Sequence, residues 1–330
     1  MLLSDLTTLH VGGPAASLLS PATPDELVEA VRDVWASGDP WLVLGGGSNV
    51  VIGDDGFDGT VIRVLTRGIT QDGSRLTVQA GETWDAVVAY AVSHGLAGIE
   101  ALSGIPGSAG AAPIQNIGAY GQEVGDVLVA IDFVDAETGS RARLTRDELE
   151  LGYRTSTLKQ YRRGLVVSIE LGLSESSQGD VSYAQLTAAV GERAPLADIR
   201  SAVLALRASK GMVIDAADPD SVSAGSFFTN PIVSDTFARS LPADVARWPV
   251  GDDEVKLSAA WLIEHAGVSR GFALPGSRAA ISGKHTLAIT NTGGATAEQI
   301  AELARYVQTR VLTEFGVILQ PEPILIGVLL

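Results

Sequence analysis

The feature that most constrains the fold is a long segment, Leu102 to Gly125, built largely of Gly, Ala and small polar residues. It shows neither helical nor strand periodicity, and it is too long and too apolar to be a simple linker. Long irregular segments in compact domains usually carry function. Its core, Ser103 to Gly121, offers many backbone donors, a few amides and a surface smooth enough to lie against a flat ring. A glycine-rich structural crossover is the alternative, and the length and composition favour ligand binding.

A second glycine loop, Gly45-Gly46-Gly47-Ser48-Asn49, directly follows a short predicted strand at Trp41 to Leu44. Consecutive glycines let backbone N–H groups approach an anion closely, so such loops often hold a pyrophosphate. An ordinary glycine turn explains the pattern equally well, and both interpretations stay open. No G-x-G-x-x-G opens a helix here and no Gly-Lys-Ser/Thr follows, so neither a Rossmann domain nor a Walker loop is predicted.

Composition narrows the possible functions. At about 150 residues per domain, the 330-residue chain predicts two or three domains. The net charge of −16 is a poor footprint for nucleic-acid binding, which needs clustered Lys and Arg. The absence of cysteine excludes disulfides, thiolate metal sites and cysteine nucleophiles. No apolar run approaches the roughly 20 residues that span a bilayer, and the N-terminus lacks signal-peptide character. We expect a cytoplasmic protein without membrane insertion, and a monomer.

Helix and strand patterns alternate along the chain. Thr23-Pro24-Asp25-Glu26 carries the capping signals of a helix start, and Trp84 begins a second helix that ends near Gly95. Further strands are predicted at Thr60–Leu65, Arg75–Ala80, Val127–Asp135 and Leu165–Leu171. After residue 206 the pattern changes to that of a separate α+β domain. Its predicted elements are helices at Val255–Ala266 and Ala297–Phe315, a strand at Thr286–Thr290 and a strand-like tail at Ile324–Leu330.

Several ordered motifs resemble those of the UDP-N-acetylenolpyruvoylglucosamine reductases, which belong to the vanillyl-alcohol-oxidase-like FAD-binding superfamily. The resemblance spans nearly the whole chain and rests on several motifs that follow in the family's order. Besides the two glycine segments, these are Thr7-Thr8-Leu9-His10-Val11-Gly12-Gly13, Gly152-Tyr153-Arg154-Thr155-Ser156, Ala224-Gly225-Ser226-Phe227-Phe228-Thr229-Asn230-Pro231 and Gln320-Pro321-Glu322.

The resemblance implies an α+β architecture in which a two-subdomain, PCMH-type FAD-binding fold is joined to a third α+β substrate-binding domain. It implies a first subdomain at 1–65, a second at 66–205 that the tail 319–330 completes, and a substrate-binding domain at 206–318. The segment carrying Tyr183 and the spacing after Leu171 resemble the long form of the family.

The implied cofactors are FAD and NADPH, with the preference for NADPH over NADH left open. Superfamily members with covalent FAD attach it through a histidine near the glycine loop; none is present there, so noncovalent FAD is expected. The four histidines, at positions 10, 94, 265 and 285, show no ligand spacing, and no metal site is predicted. The residues that the resemblance assigns to FAD are Gly45, Gly46, Gly47, Ser48, Asn49, Ser103, Ile105, Pro106, Gly107, Ser108, Gln115, Asn116, Gly118, Ala119, Tyr120 and Arg154.

Three residues are catalytic by the same resemblance. Without the resemblance, each residue has an ordinary structural interpretation. Arg154 would form a surface ion pair, Ser226 would lie in a turn, and Glu322 would be a solvated surface carboxylate. In the family pattern, Arg154 and Glu322 stabilise charge that runs into the substrate carboxylate, and Ser226 is the proton donor. No G-x-S-x-G elbow surrounds Ser226, so a hydrolase is not predicted.

The implied reaction reduces UDP-N-acetylglucosamine-enolpyruvate to UDP-N-acetylmuramate for peptidoglycan synthesis, with hydride passing from flavin N5 to the enolpyruvyl methylene carbon. The resemblance assigns contacts with the UDP portion of the substrate to Tyr183, Lys210, Asn230 and Lys256. Without it, the tyrosine would be interpreted as a packed side chain and the two lysines as solvated ones. Thr229 stands where some members have a lysine, so one phosphate contact is expected to weaken or to shift. The alternatives are another flavoenzyme of the superfamily and a noncatalytic sugar-nucleotide sensor.

Overall fold

The chain forms two compact units in a computed structural model that describes all residues, Met1 to Leu330. The larger unit consists of Ala15–Gly47 and Asp58–Val213, and the smaller unit of Met1–Pro14, Ser48–Phe57 and Ile214–Leu330. The predicted boundaries near residues 65 and 205 stay a prediction, since a division into two units does not test a division into three domains.

The larger unit begins with a three-stranded sheet, in the order Ala15–Leu19, Phe57–Arg63, Trp41–Leu44. The last two strands are parallel, and the helix Pro24–Ser37 precedes the edge strand. This helix starts where predicted, because Thr23 and Glu26 form a capping box, and Gly38 ends it in the left-handed conformation. Its buried face, Leu27, Val28, Val31 and Val34, packs on strand residues that include Ile62 and Val167.

An antiparallel five-stranded sheet forms the centre of the larger unit. Its strands, in spatial order, are Arg141–Thr145, Leu128–Asp135, Gly164–Gly172, Arg75–Gln79 and Ile69–Asp72. The helix Trp84–Ser93 contributes Trp84, Val87 and Val88 to the same core. The Trp84 backbone N–H donates to Gly107 O at 3.0 Å, and its indole N–H donates to Leu102 O at 3.2 Å. The glycine-rich segment is therefore fixed to the first turn of this helix.

The remaining elements of the larger unit are short. The glycine-rich segment is irregular, as predicted. It begins at the end of the 3-10 helix Glu100–Leu102, contains the 3-10 helix Ala109–Ala111 and the two-residue strands Gly118–Ala119 and Gln122–Glu123, and runs into the helix Val124–Val127. Beyond it lie the 3-10 helix Asp147–Leu149, the strands Ser174–Glu175, Gln178–Asp180 and Arg193–Pro195, and the helices Thr157–Gln160, Ala184–Val190 and Leu196–Ala208. The short strand Leu96–Ala97 pairs with Ser174–Glu175.

The smaller unit is an α+β assembly around one large apolar core. One antiparallel sheet has the order Ser223–Ser226, Ala288–Asn291, Ala279–Ile281, and a second has the order Ile232–Ser234, Glu254–Leu257, Arg247–Pro249. Its helices are Asp235–Ser240, Ala259–His265 and Ala297–Phe315, with 3-10 turns at Leu3–Leu6 and Pro219–Ser221. The long helix matches its predicted bounds and buries Ile300, Leu303, Val307 and Val311.

Two predicted elements of the smaller unit have different bounds in the structure. The helix predicted at Val255–Ala266 is a strand, Glu254–Leu257, followed by a helix that begins at Ala259. Val255 and Leu257 are buried while Lys256 lies on the other face, and the Ser258 hydroxyl caps the helix by accepting from Trp261 N. The strand predicted to start at Thr286 starts at Ala288.

The C-terminal tail forms a strand, Ile324–Ile326, that pairs in parallel with Val50–Ile52 of the smaller unit. The expected role of residues 319–330 in completing the second subdomain stays a prediction. The pairing is continued by hydrogen bonds from Ile324 N to Asn49 O and from Gly53 N to Ile326 O. None of the helices is long and apolar enough to cross a membrane.

The N-terminus of the long helix provides a test of this fold. The carboxylate of Asp54 accepts from Ala297 N at 2.9 Å and from Glu298 N at 3.2 Å, in addition to the capping box of Thr296 and Gln299. Asp54→Ala should lower the free energy of unfolding by about 1 kcal/mol, because two helix amides lose a charged acceptor. Hydrogen exchange of the Ala297 and Glu298 amides and denaturant unfolding measure the effect. Asp55→Ala, at an exposed position outside the cap, is the matched control, and equal losses in both variants would contradict the capping role.

Candidate functional site

Gly45 to Gly47 and the glycine-rich segment, both assigned to the cofactor, lie against each other in the larger unit. A Cβ atom on Gly45 would come within 2.4 Å of the Ser108 hydroxyl oxygen, and one on Gly46 within 2.7 Å of the Gly107 Cα atom. At Gly46 the obstacle is backbone, so the close approach requires glycine there, whereas at Gly45 rotation of the Ser108 hydroxyl could relieve the contact. Ser108 itself is buried. The sequence separates these segments by some sixty residues, and the fold joins them into one surface.

This surface carries backbone donors that the protein does not use. The amides of Gly46, Gly47, Gly107 and Ser108 donate to no protein acceptor, although Gly47 and Ser108 are buried. Buried amides without an acceptor are costly, and a concave row of them suits an anionic oxygen. The residues present therefore fit the pyrophosphate of FAD, and the geometry favours an anion cradle over an ordinary glycine turn at Gly45 to Gly47.

Two of the assigned cofactor residues use their side chains internally. The buried Ser103 hydroxyl donates to Glu100 O at 2.7 Å. The Asn116 amide donates to Glu123 Oε2 at 2.8 Å and Gly152 O at 3.2 Å, and its oxygen accepts from Gly125 N at 2.8 Å. These two side chains therefore shape the loop. The other assigned residues of the segment are half-buried: Ile105, Pro106, Gly107, Gln115, Gly118, Ala119 and Tyr120.

Arg154 lies at the tip of a tight turn in the larger unit. Gly152 and Thr155 exchange backbone hydrogen bonds of 3.1 and 3.3 Å around it, and Arg154 has a left-handed φ of 55°. Its guanidinium donates to Gly118 O at 2.9 Å and to Asn116 O at 3.4 Å. The catalytic candidate is thus held against the carbonyls of the segment that carries cofactor candidates.

Sequence reasoning did not single out Lys159, whose ammonium donates to Arg154 O at 3.2 Å. Lys159 belongs to the short helix Thr157–Gln160, which Ser156 caps by accepting from Lys159 N. A serine is a detectable helix-capping residue, but it gives no hint that the lysine three residues later turns back toward residue 154.

The substrate candidates of the larger unit form a cluster around Tyr120. The rings of Tyr120 and Tyr183 meet edge to face at 5.4 Å, and the Lys210 ammonium lies 5.7 Å from the Tyr120 ring centre. Burial, together with the nearby Arg207 guanidinium, lowers the pKa of Lys210, and burial raises the pKa of Tyr120. Lys210 also donates to Gln185 Oε1 at 3.0 Å. The hydroxyls of Tyr120 and Tyr183 beside the cations of Lys210 and Arg207 form a group that suits a phosphate-bearing ligand.

Ser226 occupies the end of an irregular strand in the smaller unit. Ser223 pairs with Thr290 and Ser226 with Ala288, so three steps on one strand oppose two on the other. The bulge contains Gly225, with a φ of 75°. Bulges of this kind re-aim the following side chain and are frequent beside active sites. The half-buried Ser226 hydroxyl has no hydrogen-bond partner in the protein, unlike that of Ser223, which accepts from Gly225 N.

The tail brings Glu322 to the same strand. Glu322 N donates to Phe227 O at 2.9 Å, Phe228 pairs with Pro321, and Thr229 N donates to Gln320 O at 3.0 Å. The Asn49 amide donates to Glu322 O at 3.3 Å. Glu322, Ser226 and Asn49 are therefore neighbours within the smaller unit, although they come from three distant parts of the sequence.

The other substrate-binding candidates of the smaller unit are Asn230 and Lys256. The Asn230 side-chain oxygen accepts from Ala259 N at 2.9 Å and so also holds the start of a helix. Lys256 pairs across the sheet with Ile232. The assigned residues are thus divided: Ser48, Asn49, Ser226, Asn230, Lys256 and Glu322 belong to the smaller unit, and the rest belong to the larger.

Comparison with known proteins yields two family matches. Residues 15–145 match the model of an FAD binding domain, and residues 218–326 match that of the UDP-N-acetylenolpyruvoylglucosamine reductase C-terminal domain. These matches confirm the predicted α+β class with an FAD-binding fold and a further C-terminal domain.

Similar proteins cover the whole chain. The UDP-N-acetylenolpyruvoylglucosamine reductase of Leifsonia xyli is 53% identical, over 99% of this chain and 98% of its own length. That of Saccharopolyspora erythraea is 47% identical over 98% and 94%. The crystal structure of the corresponding enzyme from Thermus caldophilus is 30% identical, with a TM-score of 0.69, and the match covers 99% of this chain and 98% of that one. The chain belongs to the UDP-N-acetylenolpyruvoylglucosamine reductase family.

Proposed function

We propose that this protein reduces the enolpyruvyl group of UDP-N-acetylglucosamine-enolpyruvate to yield UDP-N-acetylmuramate, using NADPH and bound FAD, in peptidoglycan precursor synthesis. The observation that carries the proposal is the 53% identity to a reductase of this name over 99% of the chain. The unused amides of the glycine cradle support it independently, since they match the anionic part of the cofactor.

When bound, FAD would supply the hydride chemistry of this reaction, with NADPH as the source of the reducing equivalents. The protein's part is to hold the cofactor and substrate and to manage charge and protons. We assign the amides of Gly46, Gly47, Gly107 and Ser108 to the FAD pyrophosphate. The smooth Gly118–Ala119 backbone, to which Arg154 is bonded, is assigned to the flavin side of the site.

Arg154 and Glu322 are assigned to the negative charge that develops on the substrate carboxylate. A planar guanidinium can donate two parallel hydrogen bonds to a carboxylate, and its charge is permanent. Two carbonyls already fix the Arg154 guanidinium, so little ordering remains for the reaction itself.

Ser226 is assigned as the proton donor to the carbon next to the reduced methylene. That carbon is strongly basic once hydride has been added, so even a weakly acidic hydroxyl can protonate it if it is well placed. The bulge at Gly225 and the lack of a protein partner for the hydroxyl support this role.

Tyr183, Lys210, Asn230 and Lys256 are assigned to the UDP portion of the substrate. We further infer that the protein acts as a monomer in the cytoplasm. NADPH and nucleotide sugars are cytoplasmic metabolites, and a net charge of −16 opposes self-association.

The first test is a reconstituted assay of the purified protein with FAD, NADPH and UDP-N-acetylglucosamine-enolpyruvate. NADPH absorbance should fall only when the sugar nucleotide is present. Ser226→Ala should lower this turnover by at least about a hundredfold, because the proton donor is lost, while reduction of the flavin by NADPH continues. Ser20→Ala, at an exposed position outside helices and strands, is the control. NADPH oxidation that ignores the sugar nucleotide would refute the proposed substrate.

Cofactor retention tests the glycine cradle. Gly46→Ala places a Cβ 2.7 Å from the Gly107 Cα atom, so one of the two backbones must move and the row of amides is disturbed. FAD affinity should fall by about tenfold or more, which is about 1.4 kcal/mol. Equilibrium dialysis with FAD measures it, and Gly251→Ala, at an exposed loop position, is the control. Unchanged FAD affinity in Gly46→Ala would contradict the assignment.

Substrate affinity should depend on pH through Lys210. Only the protonated ammonium attracts a diphosphate, and burial lowers its pKa, so affinity should fall as pH rises, and at lower pH than for an ordinary lysine. Calorimetric titration with the substrate across the alkaline range gives the profile. Lys210→Arg, which keeps its charge, should flatten this decline, and an identical decline in that variant would assign it to another group.

A further inference from the structure

Arg154 adopts a backbone conformation that a non-glycine residue rarely holds without support. Its φ of 55° lies in the left-handed region, where the Cβ of an L-residue is crowded by its own backbone. Such conformations persist only where the surroundings over-determine them. The direction in which the Arg154 side chain leaves the backbone depends on this φ.

Several contacts hold the turn, and one of them involves a charge. The backbone pair of Gly152 and Thr155 closes the turn. The ammonium of Lys159 donates to the carbonyl of Arg154 itself, at 3.2 Å. This is a charge-assisted hydrogen bond from a half-buried group, stronger than one between neutral partners.

The position of Lys159 is itself fixed from the core. Ser156 is fully buried, and its hydroxyl donates to Ile114 O at 2.6 Å while accepting from Lys159 N at 3.3 Å. The short helix that carries Lys159 is therefore tied to the glycine-rich segment. The backbone of Lys159 is thereby held where its side chain can reach the Arg154 carbonyl.

We propose that Lys159 is a positioning residue for Arg154. Its ammonium fixes the carbonyl of residue 154, and with it the left-handed turn and the direction of the guanidinium. This inference rests on the proposed function, in which Arg154 faces the substrate carboxylate. Lys159 does its work through Arg154 and not by touching the substrate.

The same helix offers a matched control. Gln160, the next residue, donates from its side chain to the Thr155 hydroxyl at 3.0 Å. It therefore ties the helix to the same turn, one residue beyond Arg154, without contacting Arg154 itself. Gln160→Met removes a general support of the turn. Lys159→Met removes the specific contact with the Arg154 carbonyl.

The experiment compares Lys159→Met, Lys159→Arg and Gln160→Met, each with Arg154 intact and with Arg154→Ala, as full-length proteins loaded with FAD. Lys159→Met should lower kcat with the sugar nucleotide by between about tenfold and a hundredfold, as expected for a misplaced catalytic group. Reduction of the flavin by NADPH and the melting temperature should match those of Gln160→Met, and Lys159→Arg should recover most of the kcat.

The double variants decide the mechanism. If Lys159 acts through Arg154, then Lys159→Met causes no further loss once Arg154 is alanine. An equal loss in both backgrounds overturns the inference, and so does an equal loss of kcat in Gln160→Met.

A crystal structure of Lys159→Met gives a result that needs no activity. Departure of the Arg154 φ from the left-handed region supports the inference, and an unchanged turn overturns it. Wild-type protein that fails to turn over the sugar nucleotide would refute the proposed function, while the crystal structure would still decide the role of Lys159.

Discussion

The side-chain amide of Asn116 is the interaction on which the functional loops of the larger unit depend. It joins Glu123 and Gly125, near the end of the glycine-rich segment, to Gly152 in the Arg154 turn, through three hydrogen bonds. Because Gly152 begins the Arg154 turn, the same amide that closes the glycine-rich segment also places the catalytic candidate beside it. A buried amide with all these bonds made is stiff, and removing it would leave several polar groups without partners.

In the smaller unit the corresponding constraint is the return of the chain at residues 320–322. Backbone hydrogen bonds from Thr229 and Glu322 align this segment with Phe227 to Thr229. Pro321 and Pro323 flank Glu322 and restrict its backbone. The proposed proton donor and the proposed catalytic carboxylate thus share one short ladder, so displacement of the tail would disturb both at once.

Sequence patterns predicted those parts of the fold that local chemistry decides. The capping residues Thr23 to Glu26 predict the start of the first helix correctly, and the helix predicted at Ala297–Phe315 has the same bounds in the structure. The strand at Glu254–Leu257 replaces the first part of a predicted helix, because an alternation of polar and apolar residues over only four positions is too short to be separated from the helix that follows. Gly45 to Gly47 could not be interpreted from sequence alone, since the partner that makes them a cradle, Gly107-Ser108, is brought there only by the tertiary fold. The Lys159 contact runs to a backbone carbonyl, which no side-chain pattern records.

Backbone strain is distributed unevenly, and its location bears on the site. Every non-glycine residue of the larger unit with positive φ lies between Asn116 and Arg154, the others being Tyr120 and Glu150. Each carries a conformational cost of about 1–3 kcal/mol, which selection for stability alone would remove by placing glycine there. Asn116, Tyr120 and Arg154 instead keep side chains that bind, stack or donate. The strain is therefore best explained by the need for these particular groups at these particular turns, which is the expected mark of a site preorganised for its ligand.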